Sequence, residues 1–80
     1  MILKLIAGDP ALLGATPVDG GVNFALYSQH SVRIELILFD PSGRNEIARC
    51  DLPGRDGNVW HGFAPSLQFG YAYGYRVHGP

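Results

Sequence analysis

Val22-Asn23-Phe24-Ala25-Leu26-Tyr27-Ser28 and, three residues later, Val32-Arg33-Ile34-Glu35-Leu36-Ile37-Leu38-Phe39 decide the fold. Successive side chains of an extended chain point to opposite faces, so a half-buried strand alternates apolar and polar residues. In the first run Val22, Phe24 and Leu26 share one face. Asp19-Gly20-Gly21 before it is a turn signal. In the second run Arg33 and Glu35 point out while Val32, Ile34, Leu36 and Leu38 point in. Ile37 and Phe39 add apolar surface to the outer face, so that end of the strand is expected to be covered on both sides.

Outward from this pair the chain continues as strands and turns. Asp40-Pro41-Ser42-Gly43 reads as a turn, with the fixed φ of proline at its second position. Glu46-Ile47-Ala48-Arg49-Cys50 is a weaker strand, and Pro53 to Asn58 a second loop. Val59-Trp60-His61-Gly62-Phe63-Ala64 is a clear strand closed by Pro65. Ala72-Tyr73-Gly74-Tyr75-Arg76-Val77-His78 is the last, with Tyr73, Tyr75 and Val77 on one side. No window carries the i, i+3, i+4, i+7 pattern, so no helix is expected. Five strands with antiparallel-type turns predict an all-β sandwich.

Eighty residues bound the answer to one small domain, spanning 1–80, with one thin two-layer core. With 46% hydrophobic and 16% charged residues the chain is globular rather than disordered. Gly and Pro make up 17 of 80 residues, which suits short strands and many turns. The formal charge of −1 lacks the basic field that nucleic-acid binding needs. No stretch approaches the roughly 18 apolar residues of a membrane span. Met1 to Ala7 lacks the form of a signal peptide, and the single Cys50 forms no internal disulfide, so a reducing, cytoplasmic setting is expected. A disulfide-free chain of this size is marginally stable. With its abrupt end at Gly79-Pro80, it reads as part of a larger protein.

Little in the residues points to chemistry within the chain. His30, His61 and His78 are too scattered for a metal signature, which clusters ligands within a few residues. No metal or cofactor is expected. Of the carboxylates, Asp9, Asp19, Asp40, Asp51 and Asp56 lie in or beside turns, leaving Glu35 and Glu46, and a thin sandwich has little room for a water-excluding cleft. Ser28, Ser31, Ser42 and Ser66 lack a nucleophile elbow. The glycine–aromatic run from Gly70 to Val77 differs from RNA-stacking strands, with Phe69 where those carry a basic residue. Its tyrosines are expected to be half-buried with hydroxyls at the rim. Trp60 shares a face with Gly62 and Ala64, small neighbours that suit a packed core better than a sugar contact. Val59, His61 and Phe63 form the opposite, exposed face.

Leu13-Gly14-Ala15-Thr16, Gly21 to Ser28, Glu35-Leu36 with Leu38-Phe39-Asp40, Val59-Trp60-His61-Gly62 and Tyr73-Gly74-Tyr75-Arg76-Val77-His78-Gly79-Pro80 occur in that order. In combination they closely resemble the N-terminal domain of isoamylase-type glycogen debranching enzymes, in the α-amylase superfamily (glycoside hydrolase family 13). The resemblance covers nearly the whole chain from Gly8 onward. It implies a family-48 carbohydrate-binding module with an immunoglobulin-like, early-set β-sandwich fold. It also implies a catalytic (β/α)8 barrel following Pro80, which hydrolyses α-1,6 branch linkages of glycogen with an Asp nucleophile and a Glu acid/base. Neither of those residues falls within this chain, so no catalytic residue is carried over.

Related glycogen-targeting modules stack glucose on tryptophans, one of them in the loop after the second strand. Here that loop, Asp40-Pro41-Ser42-Gly43-Arg44-Asn45, has no aromatic. The resemblance therefore implies a non-catalytic accessory domain whose partner is its own barrel, packed through the Val59, His61 and Phe63 face or the tyrosine-rich last strand. The alternative is an autonomous glycogen- or starch-binding module stacking aromatics on glucose rings of an α-glucan. Candidate residues for either contact are Trp60, His61, Phe63, Tyr73 and Tyr75. A protein-binding adhesion sandwich is the third reading, disfavoured without a signal peptide or disulfides.

Overall fold

Seven antiparallel strands realise the alternation, in a computed structural model that describes residues 1–68 and 70–80. They are β1 (Gly14–Val18), β2 (Gly21–Tyr27), β3 (Arg33–Phe39), β4 (Glu46–Asp51), β5 (Gly54–Asp56), β6 (Val59–Pro65) and β7 (Ala72–His78). One sheet has the order β1-β2-β6-β5 and the other β4-β3-β7. The shortest dimension of the molecule, 17 Å, is that of two packed sheets. The described residues contain no helix, as the periodicity predicts.

The two runs that opened the sequence become the central strands β2 and β3, and their inner faces meet. Val22 and Phe24 of β2 and Trp60 and Ala64 of β6 join Ile34, Leu36 and Leu38 of β3 in one core, completed by Leu5 and Leu52. Ile34, Leu36 and Leu38 are fully buried. Truncating any of these three to alanine is expected to cost about 2–5 kcal/mol.

Four details depart from the sequence expectations. Residues Gly54 to Asp56 lie in a segment expected to be loop, yet they form β5. The turn into β6 needs only Gly57, at φ 60°, and Asn58, so Asp56 already pairs with Val59. β1 pairs with β2 along its full length, through a turn closed by Gly20 at φ 89°. Val32 lies before β3 rather than within it and is 62% exposed. Glu35 keeps the outward position expected of it, but neighbouring cations cover it and it is buried.

The turn after β3 forms as its residues suggest. Gly43 N–H donates to the Asp40 carbonyl at 2.8 Å, with Gly43 at φ 76°. The Asp40 carboxylate accepts from Ser42 Oγ at 2.5 Å and from Asn45 Nδ2 at 2.7 Å. Phe69 and the comparison built on it lie outside the described residues.

Candidate functional site

The face of β6 expected to be exposed is occupied by the chain's own N-terminal segment. Ile6 and Phe63 exchange backbone hydrogen bonds at 3.0 and 2.7 Å, so the segment joins β6 beyond the end of β5. It then crosses the sheet. Gly8 N–H donates to Nδ1 of His61 at 3.0 Å. Asn23 on β2 accepts from Asp9 N–H at 2.7 Å and donates to the carbonyls of Asp9 and Leu12 at 3.0 and 3.2 Å.

His61 is thus buried beneath a strap, with Phe63 half-buried beside it. This corrects the expected exposure: alternation sets which way a side chain points, and a segment far away in sequence decides whether solvent reaches it. The strap closes off His61, while the half-buried Phe63 lines a hollow beside the strap with Leu12, Val18 and Asn23. Asn23, which the sequence reading passed over, is the strap's main anchor. The one local sign is a lone amide between Val22 and Phe24, and the apolar stretch Ile2 to Ala7 is the other half of the signal.

Trp60 faces the core, as its small neighbours suggested, and is 8% exposed. The Arg55 guanidinium lies over its ring at 4.8 Å from the centroid, where the π-face attracts a cation. The indole Nε1 has no hydrogen-bond partner among the described residues. Trp60 is a packing residue.

The remaining two candidates, Tyr73 and Tyr75, lie on β7, an edge strand. Their registers opposite Leu38 and Leu36 put them on the core-facing side. Tyr73 packs edge-to-face on Phe24 (5.5 Å, 68°) and on Tyr75 (5.7 Å, 77°) while remaining 41% exposed. Tyr71, also exposed, lines with Tyr73, Phe24, Ala15 and Leu67 a small cleft along the open side of the sandwich. The Tyr75 hydroxyl was expected at the rim; it is buried without a partner among the described residues, and burial pushes its pKa far above the ordinary phenol value. The edge is an apolar, aromatic rim. Its Tyr73 and Tyr75 rings stand nearly perpendicular, so the pair presents no common plane to a sugar ring.

The outer face of the second sheet carries a cluster of ion pairs around Glu35. Glu35 accepts from His78 Nε2 at 2.8 Å and faces Arg33 and Arg49 at 3.4 and 3.7 Å. The His78 hydrogen bond, reinforced by the two guanidinium charges, holds the Glu35 carboxyl below the usual range. Glu46 is lowered too, by its hydrogen bonds from Arg49, and Asp40 is held down at about 2 by Ser42 and Asn45. A glycosidase acid needs a raised carboxyl pKa; these three are shifted the opposite way. No group of three metal-ligating side chains occurs among the described residues.

Two comparisons bear on this geometry. The family model for carbohydrate-binding module 48, the isoamylase N-terminal domain, matches residues 12–80. A solved structure, GBS pullulanase SAP in complex with maltotetraose, superposes with a TM-score of 0.75 at 22% sequence identity. The match covers 85% of this chain and 10% of that one, so the chain spans about a tenth of the length of the protein it matches. At that identity the likeness is one of fold, and it agrees with the early-set sandwich.

Proposed function

Because this chain belongs to the carbohydrate-binding module 48 family, the isoamylase N-terminal domain, we propose that it is the non-catalytic accessory domain of a glycogen-debranching enzyme. In this reading a (β/α)8 barrel elsewhere in the polypeptide hydrolyses α-1,6-glucosidic branch linkages. The present domain packs against it through the aromatic rim of β7. The setting is cytoplasmic, where the lone Cys50 stays a thiol.

The exposed Tyr71–Tyr73 edge carries the reading. Large aromatics left open along one side of a small core are unusual for a surface that water alone covers. Tyr73 is already buttressed by Phe24 and Tyr75, which leaves a preformed apolar ridge for a neighbouring domain. The perpendicular rings favour this contact over the stacking of successive glucose units.

Titration of the 15N-labelled chain with maltoheptaose to millimolar concentration tests the assignment. The accessory reading expects the amide signals of Tyr71, Tyr73 and Tyr75 to stay in place. Saturable shifts centred on those residues would overturn it in favour of an autonomous glucan-binding module. The α-glucan partner then replaces the barrel at this edge.

A further inference from the structure

β7 is the one edge longer than five residues among the described strands that carries neither a proline, an acidic side chain nor a register shift. Exposed strand edges present unpaired N–H and C=O groups, and proteins blunt them with proline, bulges, charges or short length. β1 carries Pro17 and begins at Gly14, which has φ 87°. β4 carries Glu46, Arg49 and Asp51 and has a register shift against β3 between Leu38 and Phe39. β5 has three residues. β7 has seven, with no proline and no acidic group, and pairs with β3 alone in an unbroken register.

We propose that the open edge of β7 is filled by β7 of a second copy of this chain, antiparallel about a two-fold axis at Tyr75. The strand's own sequence singles out that register. Centred on Tyr75, all seven residues pair: Ala72 with His78, Tyr73 with Val77, Gly74 with Arg76, and Tyr75 with its own copy. On the core side every position is aromatic or apolar, and such cross-strand pairs stabilise a sheet. On the outer side the two bulky residues, Arg76 and His78, each face a small one, Gly74 or Ala72. A two-fold centred on Arg76 would instead set the two guanidinium groups against each other. One centred on Gly74 leaves Val77 and His78 unpaired. The resulting six-stranded sheet has the order β4-β3-β7-β7-β3-β4, an isologous contact that closes on itself.

The proposal goes beyond the accessory reading. Dimer and barrel would compete for one edge, but self-association is measured on the 80-residue chain without glucan or barrel, so either idea can fail alone.

Gly74 supplies the test. A Cβ there meets only the Phe39 ring, at an ordinary 3.6 Å, and its φ is not left-handed, so side chains fit in the monomer. Sedimentation equilibrium of the wild-type chain, from micromolar to millimolar, is expected to show a monomer–dimer equilibrium. In Gly74→Lys the new ammonium lies opposite Arg76 of the other copy at two symmetric places, and dimerisation weakens about tenfold. Gly74→Glu places a carboxylate there and tightens it by a similar factor. Far-UV circular dichroism checks that both variants keep the fold. A wild-type chain that stays monomeric at millimolar concentration overturns the proposal. So does an equal response to Lys and Glu.

Discussion

The Gly8 amide donates to Nδ1 of His61 across 53 residues of sequence, at 3.0 Å, and this bond lies at the centre of the strap over the first sheet. Gly54 packs against the same ring, so closely that a Cβ at that position would collide with it. His61→Ala leaves the Gly8 N–H without its acceptor and is expected to cost about 1–3 kcal/mol. Urea unfolding with hydrogen exchange at Ile6 and Gly8 checks it. Protection at Ile6 and Gly8 that survives in His61→Ala would show that the strap does not depend on this bond.

Asn23 makes three hydrogen bonds to the strap, two as donor and one as acceptor. Asn23→Asp keeps the acceptor but turns a carboxylate toward the Asp9 and Leu12 carbonyls. It is expected to destabilise the fold by about 2–3 kcal/mol, more than Asn23→Ser. Gly8→Ala should act on the same contact, because its Cβ would lie 2.6 Å from Asn23 Oδ1 and 2.8 Å from the Gly62 carbonyl carbon. Denaturant midpoints of the three variants, ranked against wild type, decide this. Equal midpoints for Asn23→Asp and Asn23→Ser would count against it.

Acid should unfold the chain through carboxylates that the folded state holds ionised. Glu35 and Asp40 both have lowered pKa values in the fold, Asp40 to about 2. A depressed carboxyl stabilises the folded state above its unfolded pKa, roughly 4, and the contribution is lost as pH falls through the folded value. The thermal midpoint is therefore expected to be flat near neutrality and to fall between about pH 4 and pH 2. Asp40→Asn, which keeps the side chain's shape but cannot titrate, should flatten part of that descent. An identical descent in the variant would assign the acid sensitivity to other groups.

Trp60 offers a contrast between area and polarity. Its Nε1 makes no hydrogen bond to the described residues, so Trp60→Phe forfeits packing but no polar partner. The expected cost is about 1–3 kcal/mol. Arg55→Ala removes the stacked guanidinium and should cost less than about 1 kcal/mol, as exposed cation–π pairs do. Chemical denaturation followed by circular dichroism compares the two. A larger loss in Arg55→Ala would mean that the cation, not the core, holds the indole.

Much of the fold is legible one strand at a time. The inward set of Val22, Phe24, Ile34, Leu36 and Leu38 follows from alternation alone, and the small neighbours of Trp60 already indicated its burial. β5 was hidden because its three residues sit among turn formers, where pairing with β6 overrides weak local preference. The candidate site was legible only in part. Tyr73 keeps the exposure that either contact requires, whereas His61 points where alternation says and yet is closed off.

Which way each strand residue points was set by the sequence, because a two-residue period is a local property of extended backbone. Which outward residues meet water was set by tertiary structure. Glu35 is covered by Arg33, Arg49 and His78, and His61 by a segment more than fifty residues away. The same distinction applies to the edges. Nothing in Ala72 to His78 marks it as an outer strand until the order β4-β3-β7 leaves its far side without a neighbour, because strand order depends on which segments meet in space.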